Sequence, residues 1–204
     1  FRKQLVILPV QVVGDVFLPA RERSISEKYL EGISQMYPDK NPYRSLRAEV
    51  LEVIPETQTI KTLTLKPEEK ITFKTGQFIE LSVPGVGEAP FTPSSEPAVH
   101  ETIKVSVMKV GKVTAKIHCL EPGAIVGLRG PFGNGYPLNI FQDREIVVAG
   151  GGCGFAPIRS LLYELFSRQG WYKKLLFRGG CRSSRDMLYK DEIMRSEERR
   201  VGKE

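Results

Sequence analysis

One stretch, Glu145 to Arg168, limits what this chain can fold into more than any other. It opens with the β-forming run Glu145-Ile146-Val147-Val148-Ala149. It turns through Gly150-Gly151-Gly152-Cys153-Gly154-Phe155-Ala156-Pro157 and continues from Ile158 to Arg168, where apolar residues recur at helical spacing. A strand, a glycine-rich turn and a helix in this order suit a phosphate-bearing nucleotide. Glycines let backbone N–H groups approach oxygens, and the helix N-terminus adds partial positive charge. Pro157 fits the first helical turn, where its missing N–H costs nothing. A plain glycine-rich connection without a ligand explains the same residues, because such turns are weak evidence alone.

The 204 residues suffice for one large or two small domains, and 41% hydrophobic with 26% charged residues is ordinary globular composition. The net charge of +6 is spread along the sequence and makes no nucleic-acid footprint. No apolar run approaches the roughly 20 residues of a membrane helix. Cys119, Cys153 and Cys181 are odd in number, lack metal-ligand spacing, and suit a reducing cytoplasm better than a disulfide framework. Residues 1–42 read as an extension of doubtful origin, with Met36 a candidate start. Residues 195–204 read as the translation of a sequencing adapter, which makes the chain a fragment.

Between these ends, residues 43–143 carry short β patterns: 46–54, 59–65, 77–83, Pro90 to Ser95, 102–108 and 124–129, most bounded by Pro or Gly. Six short strands at regular spacing predict a small antiparallel barrel. Residues 144–194 change period. Strand 145–149, helix 155–168 and strand 174–178 make one βαβ unit with a parallel pair, and Asp186 to Ile193 would open another helix with Ser184 or Asp186 near its cap. The expected fold is therefore an all-β barrel followed by a truncated, Rossmann-like α/β unit.

Five blocks stand in an order that resembles the ferredoxin–NADP reductase superfamily, and more closely the FAD- and NAD(P)-binding gamma subunits of cytoplasmic hydrogenases, sulfhydrogenases and related anaerobic reductases. They are Gly76-Gln77-Phe78, Glu88 to Ser95, Gly111-Lys112-Val113-Thr114, Gly130 to Gly135, and the glycine turn. The resemblance implies that the barrel binds FAD and the α/β unit binds NAD(P)H. It further implies that electrons pass to partner redox subunits, either an iron–sulfur protein or hydrogenase or reductase catalytic subunits. Family members often carry a cysteine-ligated [2Fe–2S] cluster near the C-terminus. No such cysteine cluster occurs here, so a cluster is expected only in a missing C-terminal part.

The resemblance also assigns roles. Ala89, Pro90, Phe91 and Thr92 match an Arg-x-Tyr-Ser pattern that meets the flavin. Phe91 would lie against the ring, and Thr92 would serve the flavin N5 edge, where hydride arrives. The arginine is replaced by Ala89, so the pyrophosphate contact would fall to Lys109 or Lys112. Ser94 and Ser95 complete the block. Gly111, Lys112, Val113 and Thr114 would offer a helix N-terminus to the FAD pyrophosphate, although a hairpin turn fits them too. Gly150, Gly151, Gly152, Gly154 and Pro157 would hold the NAD(P)H pyrophosphate. Arg182, with Ser183 and Arg185, would accept a 2′-phosphate or remain solvated. Gly130 to Gly135 reads as a border of the nicotinamide site or as an interdomain turn. His100 and His118 read as surface or barrel-end residues, and Cys153 as a small filler, though a helix N-terminus can lower a thiol pKa. The alternatives are a flavin-only module or a non-enzymatic scaffold subunit.

Overall fold

The computed structural model describes residues 44–99, 101–190 and 192. Residues 1–42, His100 and 195–204 therefore lie outside the described residues, as do the readings placed on them. Six antiparallel strands form one sheet: β1 (Leu46–Pro55), β2 (Ile60–Pro67), β3 (Phe78–Val83), β4 (Gly87–Phe91), β5 (Ile103–Met108) and β6 (Ile125–Phe132). Their order is β4-β3-β6-β1-β2-β5. The sheet curls so that its end strands β4 and β5 meet, which makes the expected barrel.

Alternation sets the register. On β3 the residues Ile79, Leu81 and Val83 are buried while Phe78, Glu80 and Ser82 are half-buried on the other face. Leu81 stands opposite Leu128 of β6, and Leu63 of β2 stands opposite both Val53 and Val105. These side chains and their neighbours fill a single barrel core.

The fourth strand corrects the sequence reading, which had placed it at Pro90 to Ser95. It runs Gly87–Phe91 instead, and residues 92–95 leave the sheet. Pro90 is tolerated because β4 ends the sheet, where a missing N–H breaks no ladder. Helix α1 (Lys112–Ile117) follows β5 and packs against β3, β4 and β5.

The second part contains β7 (Glu145–Gly151), helix α2 (Phe155–Ser167) and β8 (Lys174–Gly180), with β7 and β8 parallel. Its core gathers Ile146, Val148, Phe155, Ala156, Leu161, Leu162 and Leu165, and it takes in Ile60 from the barrel. The helix expected from Asp186 begins later. A 3₁₀ turn occupies Ser184–Asp186, and helical residues start at Lys190.

Candidate functional site

The glycine turn sits where β7 ends and α2 begins, with a 3₁₀ turn over Gly152–Gly154. Its glycines divide into two kinds. A Cβ on Gly150 would collide with the Ile158 side chain, and one on Gly151 would lie 2.6 Å from the Gly180 carbonyl oxygen. These two permit close packing of helix on strand and of strand on strand. Gly152 has φ +53°, and no heavy atom lies within 4 Å of where its Cβ would be; Gly154 is equally open. A cavity of about 310 Å³ opens beside Gly150 and Gly152, at the carboxyl ends of β7 and β8. Ligands of open parallel sheets bind in that place. Pro157 is half-buried in the first turn of α2.

Phe177, Arg178, Gly179, Gly180, Asp186 and Leu188 also line this cavity. Phe155 stacks on Phe177 with centroids 5.1 Å apart, which stiffens the wall. Arg182 is exposed beside the lining residue Cys181. The sequence reading missed Asp186 as a wall residue. The 3₁₀ turn places Asp186 on the wall, and its carboxylate accepts a hydrogen bond from Ser183 Oγ at 2.9 Å.

The flavin-pattern residues lie along β4 and just beyond it. Phe91 is half-buried against the barrel core, opposite Ile79, while Pro90 is exposed. Thr92 is half-buried. Ser94 and Ser95 are buried and tied to β5. Ser94 N–H donates to the Lys104 carbonyl at 2.7 Å, and Ser95 Oγ accepts from Lys104 N–H at 3.2 Å. Next to Ala89, Glu88 is ion-paired with Arg129 of β6, while Lys109 and Lys112 are both exposed.

Gly111 to Thr114 form the start of α1 rather than a hairpin. Thr114 is buried. Its hydroxyl accepts from Val110 N–H at 3.0 Å and Gly111 N–H at 2.8 Å, and donates to the Gly111 carbonyl. Val113 packs on the barrel core, and Gly111 and Lys112 are exposed. Because α1 packs against β4, the 111–114 segment and the Phe91 strand share one side of the barrel. A larger, shallow depression of about 470 Å³ between β1, β3 and β6 contains none of the expected site residues.

His118 is buried, not a surface residue. Its Nε2 lies 2.8 Å from the Val107 carbonyl, and it fastens the end of α1 to β5. Cys153 is half-buried with Sγ 3.8 Å from the Ser106 carbonyl. Burial pushes its thiol pKa up, which opposes activation as a thiolate. Among the described residues no group of His, Cys, Asp and Glu is placed to hold a metal ion. Among them, too, no helix is long and apolar enough to cross a membrane.

The sequence reading also missed Arg159 and Tyr189. Arg159, on α2, donates from Nη1 to the Ser94 carbonyl at 2.9 Å and from Nε and Nη2 to Glu192 Oε2 at 3.0 and 2.7 Å. Its guanidinium lies over the rings of Tyr189 (4.4 Å) and Tyr163 (5.1 Å). Burial opposes the charge, but the hydrogen bond and charge of Glu192 outweigh it and hold the guanidinium protonated. Tyr189 OH lies 2.5 Å from Ser106 Oγ, which in turn lies 2.7 Å from Thr62 Oγ1. No sequence signal marks these residues, since the hydrogen-bond partners that fix them, Ser94 and Glu192 for Arg159 and Ser106 for Tyr189, are far away along the chain.

Comparison with known proteins finds two domains. Residues 48–136 match the oxidoreductase FAD-binding domain and residues 148–203 the oxidoreductase NAD-binding domain. The chain thus joins an FAD-binding and an NAD-binding oxidoreductase domain, with a ferredoxin–NADP reductase-like fold. Among its relatives, the sulfhydrogenase 2 gamma subunit of Pyrococcus furiosus is 38% identical over 159 residues, covering 76% of this chain and 54% of the relative. The Amycolatopsis cytochrome P450 reductase GcoB superposes with TM-score 0.67 at 26% identity, covering 76% of this chain and 48% of that one. A ferredoxin–NADP+ reductase from Plasmodium falciparum shares the fold, with TM-score 0.66 at 15% identity over 81% of this chain and 70% of that one. The chain spans about half the length of the curated relatives it matches.

Proposed function

We propose that this chain is the cofactor-binding part of a cytoplasmic electron-transfer subunit. It would carry electrons between NAD(P)H and FAD and onward to a partner redox subunit of hydrogenase or sulfur-reductase type. The barrel, residues 43–143, is the FAD domain in this reading, and residues 144–194 belong to the NAD(P) domain. One juxtaposition carries it. The cavity at the ends of β7 and β8 opens on Gly152, and the helix that starts there is hydrogen-bonded to the flavin-pattern segment at Ser94.

Both groups fit the residues present. Gly152 and Gly154 leave backbone open where a pyrophosphate would sit, at a helix N-terminus that favours anions. Gly150, Gly151 and Pro157 shape that turn. Arg178 and Arg182 offer charge for a 2′-phosphate, and Asp186 offers an acceptor for ribose hydroxyls. On the barrel side Phe91 supplies an aromatic face, Pro90 keeps the edge strand rigid, and Thr92 places a hydroxyl at the end of β4 for the flavin N5 edge. Ser94 and Ser95 hold that segment on β5. At the start of α1, Gly111 and Lys112 are exposed to meet the FAD pyrophosphate, Val113 anchors the turn on the barrel core, and the Thr114 hydroxyl holds it in shape. When both cofactors are bound the chemistry is theirs, a hydride passing between nicotinamide and flavin. The protein's work is to bind, orient and exclude water, so no nucleophile with a general base is required.

Purified protein incubated with FAD and desalted should retain a yellow chromophore. Anaerobic NADH or NADPH should then bleach it, and whichever bleaches at lower concentration identifies the nucleotide. A colourless protein points to a scaffold subunit. A yellow protein that neither nucleotide bleaches points to a flavin-only module.

A further inference from the structure

The proposed reaction needs two binding segments from different parts of the fold to meet in register, and one side chain spans them. Arg159 stands on α2, five residues after Gly154, so its backbone moves with the glycine turn. Its Nη1 grips the carbonyl of Ser94, two residues beyond Thr92. Its Nε and Nη2 donate to Glu192, and its guanidinium lies over the rings of Tyr189 and Tyr163. The side chain is only 13% exposed. A buried guanidinium with this many directed partners has one geometry, because its planar fork fixes where each partner lies. The Ser94 carbonyl is equally constrained, since its own N–H and Oγ both bond the Lys104 carbonyl on β5.

We infer that Arg159 is the positioning residue that sets the flavin-side segment and the nucleotide-side helix in the register hydride transfer demands. The inference rests on the proposed function and adds to it the side chain by which the two sites are aligned. Arg159 does not line the cavity beside Gly152, and its recorded donors are turned to Ser94 and Glu192. Its loss should leave each site able to bind and spoil only their mutual placement. Misplacement at that scale is costly in rate, since transfer requires the reacting atoms to meet in near-attack geometry.

The test is Arg159→Met and Arg159→Lys in the full-length protein. For Arg159→Met, flavin reduction by NAD(P)H in a rapid-mixing experiment should slow by about tenfold to a hundredfold. The long-wavelength charge-transfer absorbance of the nicotinamide–flavin pair should weaken. FAD content and the Kd for NAD+ or NADP+ should stay within about twofold of wild type. Arg159→Lys keeps the charge but cannot reach Ser94 and Glu192 together, so its rate should fall between the two. If Arg159→Met does not fold, Arg159→Lys alone decides. A wild-type rate and charge-transfer band in a variant that holds both cofactors overturn the inference while the proposed function stands. Parallel loss of FAD, nucleotide affinity and rate overturns it too, because Arg159 is then only structural. A wild-type protein that neither nucleotide reduces overturns both.

Discussion

The barrel and the nucleotide unit solve the same packing problem to different degrees. In the barrel five of the six strands bury residues in the core, and Val50, Leu63, Leu65, Ile79, Leu81, Val105 and Leu128 are fully enclosed. In the nucleotide unit β7 has the continuous apolar run of a strand covered on both faces. Yet Ile146 and Val148 are buried while Val147 is 50% exposed, and Phe166 on α2 is 48% exposed. No described element covers those outer positions. The unit instead takes in Ile60 from the barrel and hydrogen-bonds to it through Tyr189 and Arg159. The barrel is self-sufficient, and the nucleotide unit leans on it. The contact that supports the nucleotide unit is also the contact that aligns the two candidate sites.

The largest expected effect tests the barrel's side of that contrast. Leu81→Ala removes a fully buried side chain between Ile79, Val83 and Leu128, and should cost about 2–5 kcal/mol. Phe166→Ala should change stability by less than about 0.5 kcal/mol, as surface substitutions do. Urea melts of the two variants check both. Comparable losses would mean that Phe166 is covered in the whole protein and that the nucleotide unit is as closed as the barrel.

Next in size is Gly152→Val. The φ of +53° is one that β-branched residues resist, at roughly 1–2 kcal/mol or more, and the side chain would project into the open turn. The KM for NAD(P)H should rise about tenfold or more, the equivalent of about 1.4 kcal/mol. FAD content should not change, because the barrel core is separate. Steady-state kinetics with a flavin assay decides this. Loss of FAD as well would show that the barrel leans on the nucleotide unit in return.

Much of this was legible in sequence because it is local. Alternation in Phe78 to Val83 and the strand–turn–helix at Glu145 to Arg168 depend on neighbours in the chain, and both elements form within two residues of expectation. The fourth strand was misplaced because Gly87-Glu88-Ala89-Pro90 carries little β signal of its own, and a sheet-ending strand of this kind is decided by its partner β3. The glycine turn was legible as a set, but the division of its members was not. Whether Gly151 or Gly152 admits a side chain depends on Gly180 and on empty space. Arg159 was invisible for the same reason, since Ser94 and Glu192 are 65 and 33 residues away.

The smallest effect concerns the strands beside the flavin-pattern segment. Glu80 on β3 stands opposite Pro90 of β4 and Arg129 of β6. Burial, and then the negative charge of Glu88, raise its carboxyl pKa above the ordinary value, while Arg129, paired with Glu88, only partly opposes them. Below the unfolded-state pKa the carboxyl is protonated in both states and costs nothing. As pH rises through the folded-state pKa, the folded protein must ionise a group that the unfolded chain has already ionised more easily, so stability falls. Glu80→Gln removes that penalty. The variant should match wild type near pH 4 and exceed it at pH 7 by less than about 1 kcal/mol, the scale of partly exposed charges. Thermal melts at the two pH values read the difference. A constant offset at both would show that Glu80 acts through its shape and hydrogen bonding, and that the barrel beside the flavin-pattern segment is as free of electrostatic cost as its core.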